Sequence, residues 1–160
     1  MGELFGVTMI RSPFNSLLVP TDFSDASHDA FDWALRCVDG NESAIIVLHV
    51  LDEALIETIA AYQFAPRDEV AKRMRKHVEE QLAEYKESAR DQVEIDTIVA
   101  EGLPFLEIIR KADDFAVDAI VMGRVGTRGH FEKLLFGSTA EKVLRGARRP
   151  VIVLPQSDRV

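Results

Sequence analysis

The chain has 160 residues, of which 47% are hydrophobic and 29% charged, with a net charge of −8. This length suffices for one domain with its own hydrophobic core, and the composition excludes a disordered chain. The negative charge argues against binding nucleic acid along a broad face, because that affinity comes from cations that neutralise phosphates. The one cysteine, Cys37, excludes an internal disulfide and fits a reducing, cytoplasmic compartment.

The first residues are mildly apolar but are interrupted by Glu3, Arg11 and Pro13. They therefore lack the unbroken apolar core of a signal peptide and the length of a membrane span. We expect an N-terminal arm over residues 1–14, one domain over 15–155 and a short tail over 156–160, without insertion into a membrane.

In the first half of the chain, Ser16 to Pro20 is a short apolar run that predicts a buried strand. A turn rich in capping oxygens follows, and the spacing of the next apolar residues predicts a helix over 26–38. Ala44 to Leu51 is apolar on both faces, which is typical of a central parallel strand. A polar connection containing Pro66 is expected to lead into a long helix with an apolar stripe over 70–89.

In the second half, Val93 to Val99 alternates between apolar and polar residues and predicts a strand at or near a sheet edge. The next helix has a proline in its first turn, and its predicted buried residues are Leu106, Ile108, Ile109, Ala112 and Phe115. A strand over 119–122, a helix over 138–146 and a last strand over 151–154 complete the pattern. Strands that alternate with helices predict an α/β fold: one doubly wound, Rossmann-like domain, with a mostly parallel five-stranded sheet and helices on both faces.

Three predicted strands end in segments that should meet at one edge of this sheet. They are Pro20-Thr21-Asp22, the segment from His49 to Asp52, and Met122-Gly123. In open parallel sheets, ligands bind outside the carboxyl ends of the strands, where connections diverge to opposite faces. We therefore expect a ligand crevice between these segments.

A glycine-rich loop follows the fourth predicted strand. Gly123, Gly126 and Gly129 are spaced every third residue, and Gly137 precedes the next helix. Backbone N–H groups in such a loop, with those of a helix N-terminus, favour a phosphate chain as ligand. The spacing matches neither a Walker loop nor a dinucleotide fingerprint, so a P-loop enzyme and an NAD oxidoreductase are not favoured.

Side chains near this loop strengthen the anion hypothesis. Between Gly123 and Pro150 there are seven basic and two acidic residues, a local charge of +5. The hydroxyls of Ser138 and Thr139 could bind phosphate, and the candidate cations are Arg124, Arg128 and Lys133. The alternative is purely structural: a tight loop, with Ser138 to Glu141 as a capping box that closes the helix on itself.

Five segments resemble the universal stress protein family, in the family's order. They are Leu18–Ser24, Leu48–Val50, Ile120–Gly123, Leu134–Val143 and Pro150–Val153. The resemblance covers the chain from about Asn15 to Pro155. It implies a fold of the adenine nucleotide alpha hydrolase type and a regulatory protein in stress response or signalling. The implied ligand is ATP, with AMP or another adenine nucleotide and a Mg²⁺ ion left open.

The nucleotide-binding branch of that family carries Gly, two residues, Gly, nine residues, then Gly-Ser or Gly-Thr. Here ten residues separate Gly126 from Gly137, so one residue is inserted near His130. The resemblance implies that Asp22 reaches the ribose or adenine and that the Val50 backbone meets the adenine edge. It further implies that ribose and phosphates are lined by Gly123, Gly126, Gly137, Ser138 and Thr139, and that the last strand, Val151 to Leu154, joins a homodimer.

Two other functions remain open. Asp22 and Asp52 both follow strand ends and could act as an acid–base pair or hold magnesium in a slow ATPase or nucleotidyl-transfer enzyme, although aspartates here more often cap helices or turns. A dimeric interaction protein without nucleotide is the third reading. The histidines form no set with metal-site spacing; His49 is expected to be structural, and His130 is a possible phosphate contact.

Overall fold

A computed structural model gives the fold and describes residues 12–88, 93–125 and 136–155. Its elements are β1 (Ser16–Pro20), α1 (Asp25–Cys37), β2 (Ala44–Asp52), α2 (Glu53–Gln63), α3 (Arg67–Ser88), β3 (Glu94–Gly102), α4 (Pro104–Asp114), β4 (Ala119–Gly123), α5 (Ser138–Gly146) and β5 (Val151–Leu154), with a 3₁₀ turn at Gly40–Glu42. The strands form one sheet in the order β3-β2-β1-β4-β5, and all its pairings are parallel. The predicted doubly wound α/β fold is therefore confirmed.

The two faces of the sheet carry two separate cores because side chains alternate along each strand. Leu17 and Val19 of β1 pack with α1, α2 and α3 on one face. Leu18, between them, packs with α4 and α5 on the other. All of these β1 side chains have no exposed surface, so β1 is the central strand of the domain.

One helix was not expected from the sequence. Residues 53–63 were predicted as part of a polar connection, but they form α2. Asp52 begins it, since its Oδ1 accepts a hydrogen bond from the Ala54 amide at 3.0 Å. The signal that could have revealed α2 is the helical spacing of Ile56, Ile59 and Ala60, which pack against or within the core.

The buried side of α4 was partly misassigned. Ile108 and Ala112 are buried as expected, but Leu106 and Phe115 are each 49% exposed. Leu106 precedes Ile108 by two residues, about 200° around the helix, and so faces away from the sheet. Phe115 lies beyond the last helical residue of α4.

The segment before β1 also contacts the domain. Phe14, which the sequence places in the N-terminal arm, forms an isolated parallel bridge with Val38 and packs against the core. Among the described helices, none has the length and apolar character needed to cross a lipid bilayer.

Candidate functional site

The candidate site lies at the carboxyl ends of β1 and β4, which are neighbours in the sheet. From β1 the chain passes to α1 on one face, and from β4 it reaches α5 on the opposite face. The connections therefore diverge between these two strands, and this divergence opens a crevice at the strand ends. The predicted segments at the ends of β1, β2 and β4 all lie at this edge.

Thr21 follows β1 and turns its side chain inward. It is 5% exposed, and its hydroxyl lies 2.7 Å from the Tyr85 hydroxyl and 3.0 Å from the Ser27 hydroxyl. The same oxygen accepts the Phe23 amide at 3.0 Å. The hydroxyl of Thr21 is therefore engaged by the protein rather than offered to the crevice. Tyr85, on α3, carried no motif that would have marked it in the sequence.

Two aspartates at this edge accept hydrogen bonds from the residues that follow them. Asp22 Oδ1 accepts the Ser24 amide at 3.1 Å and also accepts the Ser24 hydroxyl, just before α1 begins. Asp52 is the N-cap of α2. Both carboxylates have further interactions besides these. The capping role that was expected for such aspartates is thus present at both positions: Asp52 caps a helix, whereas Asp22 caps the turn before Ser24, which is itself the N-cap of α1.

His49 supports the same turn from β2. Its Nδ1 lies 2.8 Å from the Thr21 carbonyl oxygen, and its ring stacks on Phe23 with centroids 4.8 Å apart. Burial lowers the pKa of His49, opposed by the bond to the Thr21 carbonyl and by the charge of Asp22. The neutral imidazole with a proton on Nδ1 fits this geometry. His49 therefore has the structural role that was predicted for it.

The backbone of Val50 faces the crevice. The Leu48 carbonyl accepts the Thr21 amide at 2.8 Å, so the backbone groups of Leu48 point toward β1. Backbone direction alternates along a strand, and the N–H and C=O of Val50 therefore point to the same side. There β1 has already ended at Pro20, whereas β2 continues to Asp52. Val50 thus presents its main chain where the adenine edge was predicted.

The residues at the end of β4 pack tightly. Met122 is buried against the α4 and α5 face. A Cβ on Gly123 would lie 2.8 Å from the Cβ of Ala26 and 3.0 Å from its backbone, closer than real contacts allow. The glycine at this position is therefore required by the approach of α1 to β4, independently of any ligand.

The predicted glycine loop is closed at its base. The Gly137 amide donates to the Arg124 carbonyl at 2.8 Å, and the Arg124 amide donates to Leu154 of β5. The Gly137 amide, expected to face a phosphate, is therefore already used. Gly126 and Gly129, together with Arg128, His130 and Lys133, lie outside the described residues.

Arg124 supplies a cation at this base. Its side chain is half-buried, and its Nε is fully buried with no hydrogen-bond partner in the described part of the chain. A buried N–H group of this kind normally has an acceptor. Arg124 directly follows β4 at the carboxyl end of the sheet, whereas the other two candidate cations, Arg128 and Lys133, lie outside the described residues.

The start of α5 differs from the predicted capping box. Gly137 is the N-cap, and Ser138 is the first helical residue and makes no capping bond, so that prediction was wrong. The Glu141 carboxylate instead pairs with Arg145 at 2.7 Å. Within the described residues the amides of Ser138 and Thr139 have no acceptor, as expected for a first helical turn.

A cavity of about 400 Å³ lies elsewhere, between α1 and α3 rather than at the strand ends. Its lining combines carboxylates with aromatic rings: Asp25, His28, Phe31, Asp32, Glu84, Tyr85 and Ser88. Neither there nor elsewhere in the described ranges do three histidine, cysteine, aspartate or glutamate side chains group as metal ligands would.

Comparison with known proteins identifies related chains. Residues 13–155 match the model of the universal stress protein family. Universal stress protein YxiE of Bacillus subtilis is 31% identical over 147 residues, covering 88% of this chain and 99% of that protein. The solved structure of MJ0577, a universal stress protein of Methanocaldococcus jannaschii, superposes with a TM-score of 0.80 at 26% identity and covers 91% of this chain and 98% of that one.

Two more distant structures of the same fold contain adenine nucleotides. A universal stress protein in complex with cAMP has a TM-score of 0.54 at 24% identity, covering 90% of this chain and 98% of that one. A universal stress protein family member from Arabidopsis thaliana with AMP bound has a TM-score of 0.52 at 16% identity, covering 90% and 93%. At these identities the likeness concerns the fold.

Proposed function

The chain belongs to the universal stress protein family, and from this premise we propose that it binds an adenine nucleotide, ATP in the first place, at the carboxyl ends of β1, β2 and β4. It acts as a regulator in the cytoplasm: nucleotide binding shifts the population of surface conformations that a partner reads, without rapid turnover. Proteins of the same fold with cAMP and AMP bound support the ligand class.

The observation that carries the proposal is the buried Nε of Arg124 at the base of the loop, which has no acceptor within the ranges that the structure describes. The amides of Ser138 and Thr139, which have no acceptor among the described residues, begin the helix that follows this base. A phosphate group would satisfy these donors together, because helix N-termini and guanidinium groups both favour anions. We therefore propose that Arg124 and the first turn of α5 bind the phosphate groups.

The other end of the ligand faces β2. Adenine needs a donor and an acceptor along one edge, and the Val50 N–H and C=O are on the side that β1 has vacated. Asp22, beside this position, contacts the ribose or the adenine. Gly126, Gly129 and Gly137 remain part of the proposed phosphate loop, with the Gly137 amide committed to Arg124. A Mg²⁺ ion enters this proposal only as the counter-ion of the ATP phosphates.

The test is to denature the purified protein, identify released nucleotide by chromatography, and titrate the stripped protein with ATP, AMP and cAMP by calorimetry, with and without Mg²⁺. Arg124→Gln should weaken ATP binding by about tenfold or more, because it removes a charge-assisted hydrogen bond. The matched control is Arg145→Gln, at the other end of α5, which makes the same charge change and should alter affinity by less than about twofold.

Three results would overturn parts of this proposal. If no nucleotide is retained and none binds, the chain is a nucleotide-free interaction protein. If Arg124→Gln binds ATP as the wild type does, the phosphate end has been misplaced. If ATP is turned over with product release that Asp22→Ala abolishes, the slow enzyme replaces the regulator.

We further propose a homodimer through β5. This strand is at the edge of the sheet and reads Val-Ile-Val-Leu, without a charge. The opposite edge, β3, carries Glu94, Asp96 and Glu101, which protect it from pairing. An uncharged edge beside a charged one favours antiparallel pairing of two β5 strands about a twofold axis.

Proline substitutions test this interface. The carbonyls of Pro150 and Leu154 accept bonds from β4, so by alternation the Val153 N–H points outward. Val153→Pro removes that outward donor and should convert dimer to monomer in light scattering at micromolar concentration. Ile152→Pro is the contrasting control, because it interrupts the bond to β4 and should destabilise the fold itself. A wild type that is only monomeric, or a Val153→Pro dimer, contradicts the proposal.

A further inference from the structure

A buried chain of hydroxyl groups runs behind the turn that carries Asp22. Tyr85 is 3% exposed, and its hydroxyl lies 2.7 Å from the Thr21 hydroxyl. Thr21 in turn lies 3.0 Å from the Ser27 hydroxyl, and Ser27 donates to the Ser24 carbonyl at 2.8 Å. These hydrogen bonds thus link α3 to Ser24, the N-cap of α1.

Counting protons gives the direction of each bond, because a hydroxyl donates one hydrogen bond. The proton of Ser27 is used by the Ser24 carbonyl. Thr21 must therefore donate to Ser27, and its remaining lone pairs accept the Phe23 amide and the Tyr85 hydroxyl. Burial raises the pKa of Tyr85, so this hydroxyl keeps its proton. The order is Tyr85 to Thr21 to Ser27 to the Ser24 carbonyl.

The turn needs such support because Phe23 has φ 62°, in the left-handed region that residues with a side chain rarely adopt. The hydrogen bond from the Phe23 amide to the Thr21 hydroxyl oxygen holds this conformation in place. Asp22 lies between these two residues, so its position depends on the same bond. The rings of Phe31 and His28 pack on Tyr85 at 4.8 and 5.2 Å and fix it in turn.

We infer that Tyr85 is a positioning residue for the nucleotide site. It acts through Thr21 on the turn that carries Asp22, without touching the ligand. The inference rests on the proposed adenine-nucleotide function and adds a determinant of affinity that comes from α3, outside the strand ends.

The decisive variant is Tyr85→Phe, which removes the hydroxyl and keeps the ring. We expect ATP affinity, measured by calorimetry well below the melting temperature, to fall about 3- to 10-fold, the effect of one lost hydrogen bond. Ser88→Ala is the matched control, because it removes a hydroxyl bonded to the Tyr85 carbonyl at 3.0 Å on the same helix. It should change affinity by less than about twofold.

Thr21 provides the second arm. Thr21→Val keeps the shape without the hydroxyl and should reproduce the loss, whereas Thr21→Ser keeps the hydroxyl and should restore affinity. Combined with Tyr85→Phe, Thr21→Val should add little, because both break the same link. Should Thr21→Val fail to fold, the pair Tyr85→Phe and Thr21→Ser carries the comparison.

A spectroscopic readout separates positioning from general destabilisation. In ¹H–¹⁵N spectra of Tyr85→Phe without nucleotide, the amides of Asp22 and Phe23 should shift, while those of Asn15 and Ser16 at the other end of β1 should not. Wild-type binding with an unaltered Tyr85→Phe affinity overturns the inference and leaves the nucleotide site standing. A wild type that binds no adenine nucleotide removes the proposed function, and the positioning role with it.

Discussion

The two ends of β1 are held in different ways. At the amino end, the exposed carboxylate of Asp118 accepts the amides of Asn15 and Ser16 at 2.8 and 2.9 Å. At the carboxyl end, the buried hydroxyl of Thr21 is the centre of bonds to three other residues, while the main chain of β2 runs on beyond it. The backbone groups at the amino end are satisfied by an exposed carboxylate from the segment just before β4. The carboxyl end is supported from inside the protein.

The difference has a physical reason. At the amino end a charged acceptor can stay in water, so it completes the strand at little cost. At the carboxyl end, the outer side of the turn faces the proposed nucleotide site, and the support comes from the buried hydroxyls of Thr21, Ser27 and Tyr85 behind it. Buried hydrogen bonds cost more to lose than exposed ones. The carboxyl end should therefore be the more sensitive of the two to substitution.

The largest expected effect is at Gly123, beside the crevice. Gly123→Ala places a Cβ 2.8 Å from the Ala26 Cβ and against its backbone, and should lower the free energy of unfolding by about 1–3 kcal/mol. Gly146→Ala, at the end of α5, is the control for adding a methyl group. There the new Cβ lies 2.9 Å from the terminal methyl of Ile109, at the end of a flexible side chain. This substitution should change stability by less than about 1 kcal/mol. Urea denaturation measures both, and equal losses would break the comparison.

Two phenylalanines with left-handed backbone conformations test whether the turn after β1 depends on packing. Phe64, after α2, has φ 50° and is 97% exposed, so Phe64→Gly should raise the free energy of unfolding by about 0.5–1 kcal/mol. Phe23 has a similar backbone, but its ring stacks on His49. Phe23→Gly should therefore lower stability by about 1–2 kcal/mol, since the lost packing outweighs the relieved backbone. A gain at both positions would show that the turn needs no support.

A smaller effect is expected at the amino end. Asp118→Ala removes the acceptor of two exposed amides and should cost about 1 kcal/mol or less, with ATP affinity unchanged. The hydrogen bonds from the backbone amides of Asn15 and Ser16 lower the pKa of Asp118. Its contribution is thus complete above the usual aspartate range and is lost as the pH falls through the lowered pKa. The stability difference between wild type and variant should shrink in acid, and reduced ATP binding would contradict a purely local role.

The smallest expected effect is a change in how the free energy of unfolding depends on pH, caused by His49 at the carboxyl end. Burial lowers the pKa of His49, so the unfolded chain binds a proton more readily than the folded one. The free energy of unfolding should then decline as the pH falls below about 6.5 toward the folded-state pKa. His49→Asn, whose amide can still donate to the Thr21 carbonyl, should flatten this decline between pH 7.5 and 5. An identical slope in both proteins would exclude His49 as its source.

Much of the fold was predictable because its elements carry local signals. Continuous apolar runs marked β1, β2 and β4, and alternation marked β3 as an edge strand, all of which the sheet order confirms. The helix α2 was missed because residues 53–63 were included in the connection to the long helix, although most of them are apolar and have helical spacing. Leu106 was misassigned because an apolar residue in a helix does not by itself show which side faces the sheet.

The sequence by itself determined which segments become strands and helices, because hydrophobic periodicity and capping residues act within one element. It also brought the ends of β1, β2 and β4 to one edge, since parallel strands point the same way. Only the tertiary structure decided that the Thr21 hydroxyl turns inward to Tyr85, which lies 64 residues away in the chain. It likewise decided that Gly123 serves the contact with Ala26. Such contacts depend on how two elements pack, and the sequence pattern of one element does not show which residues of another element it will contact.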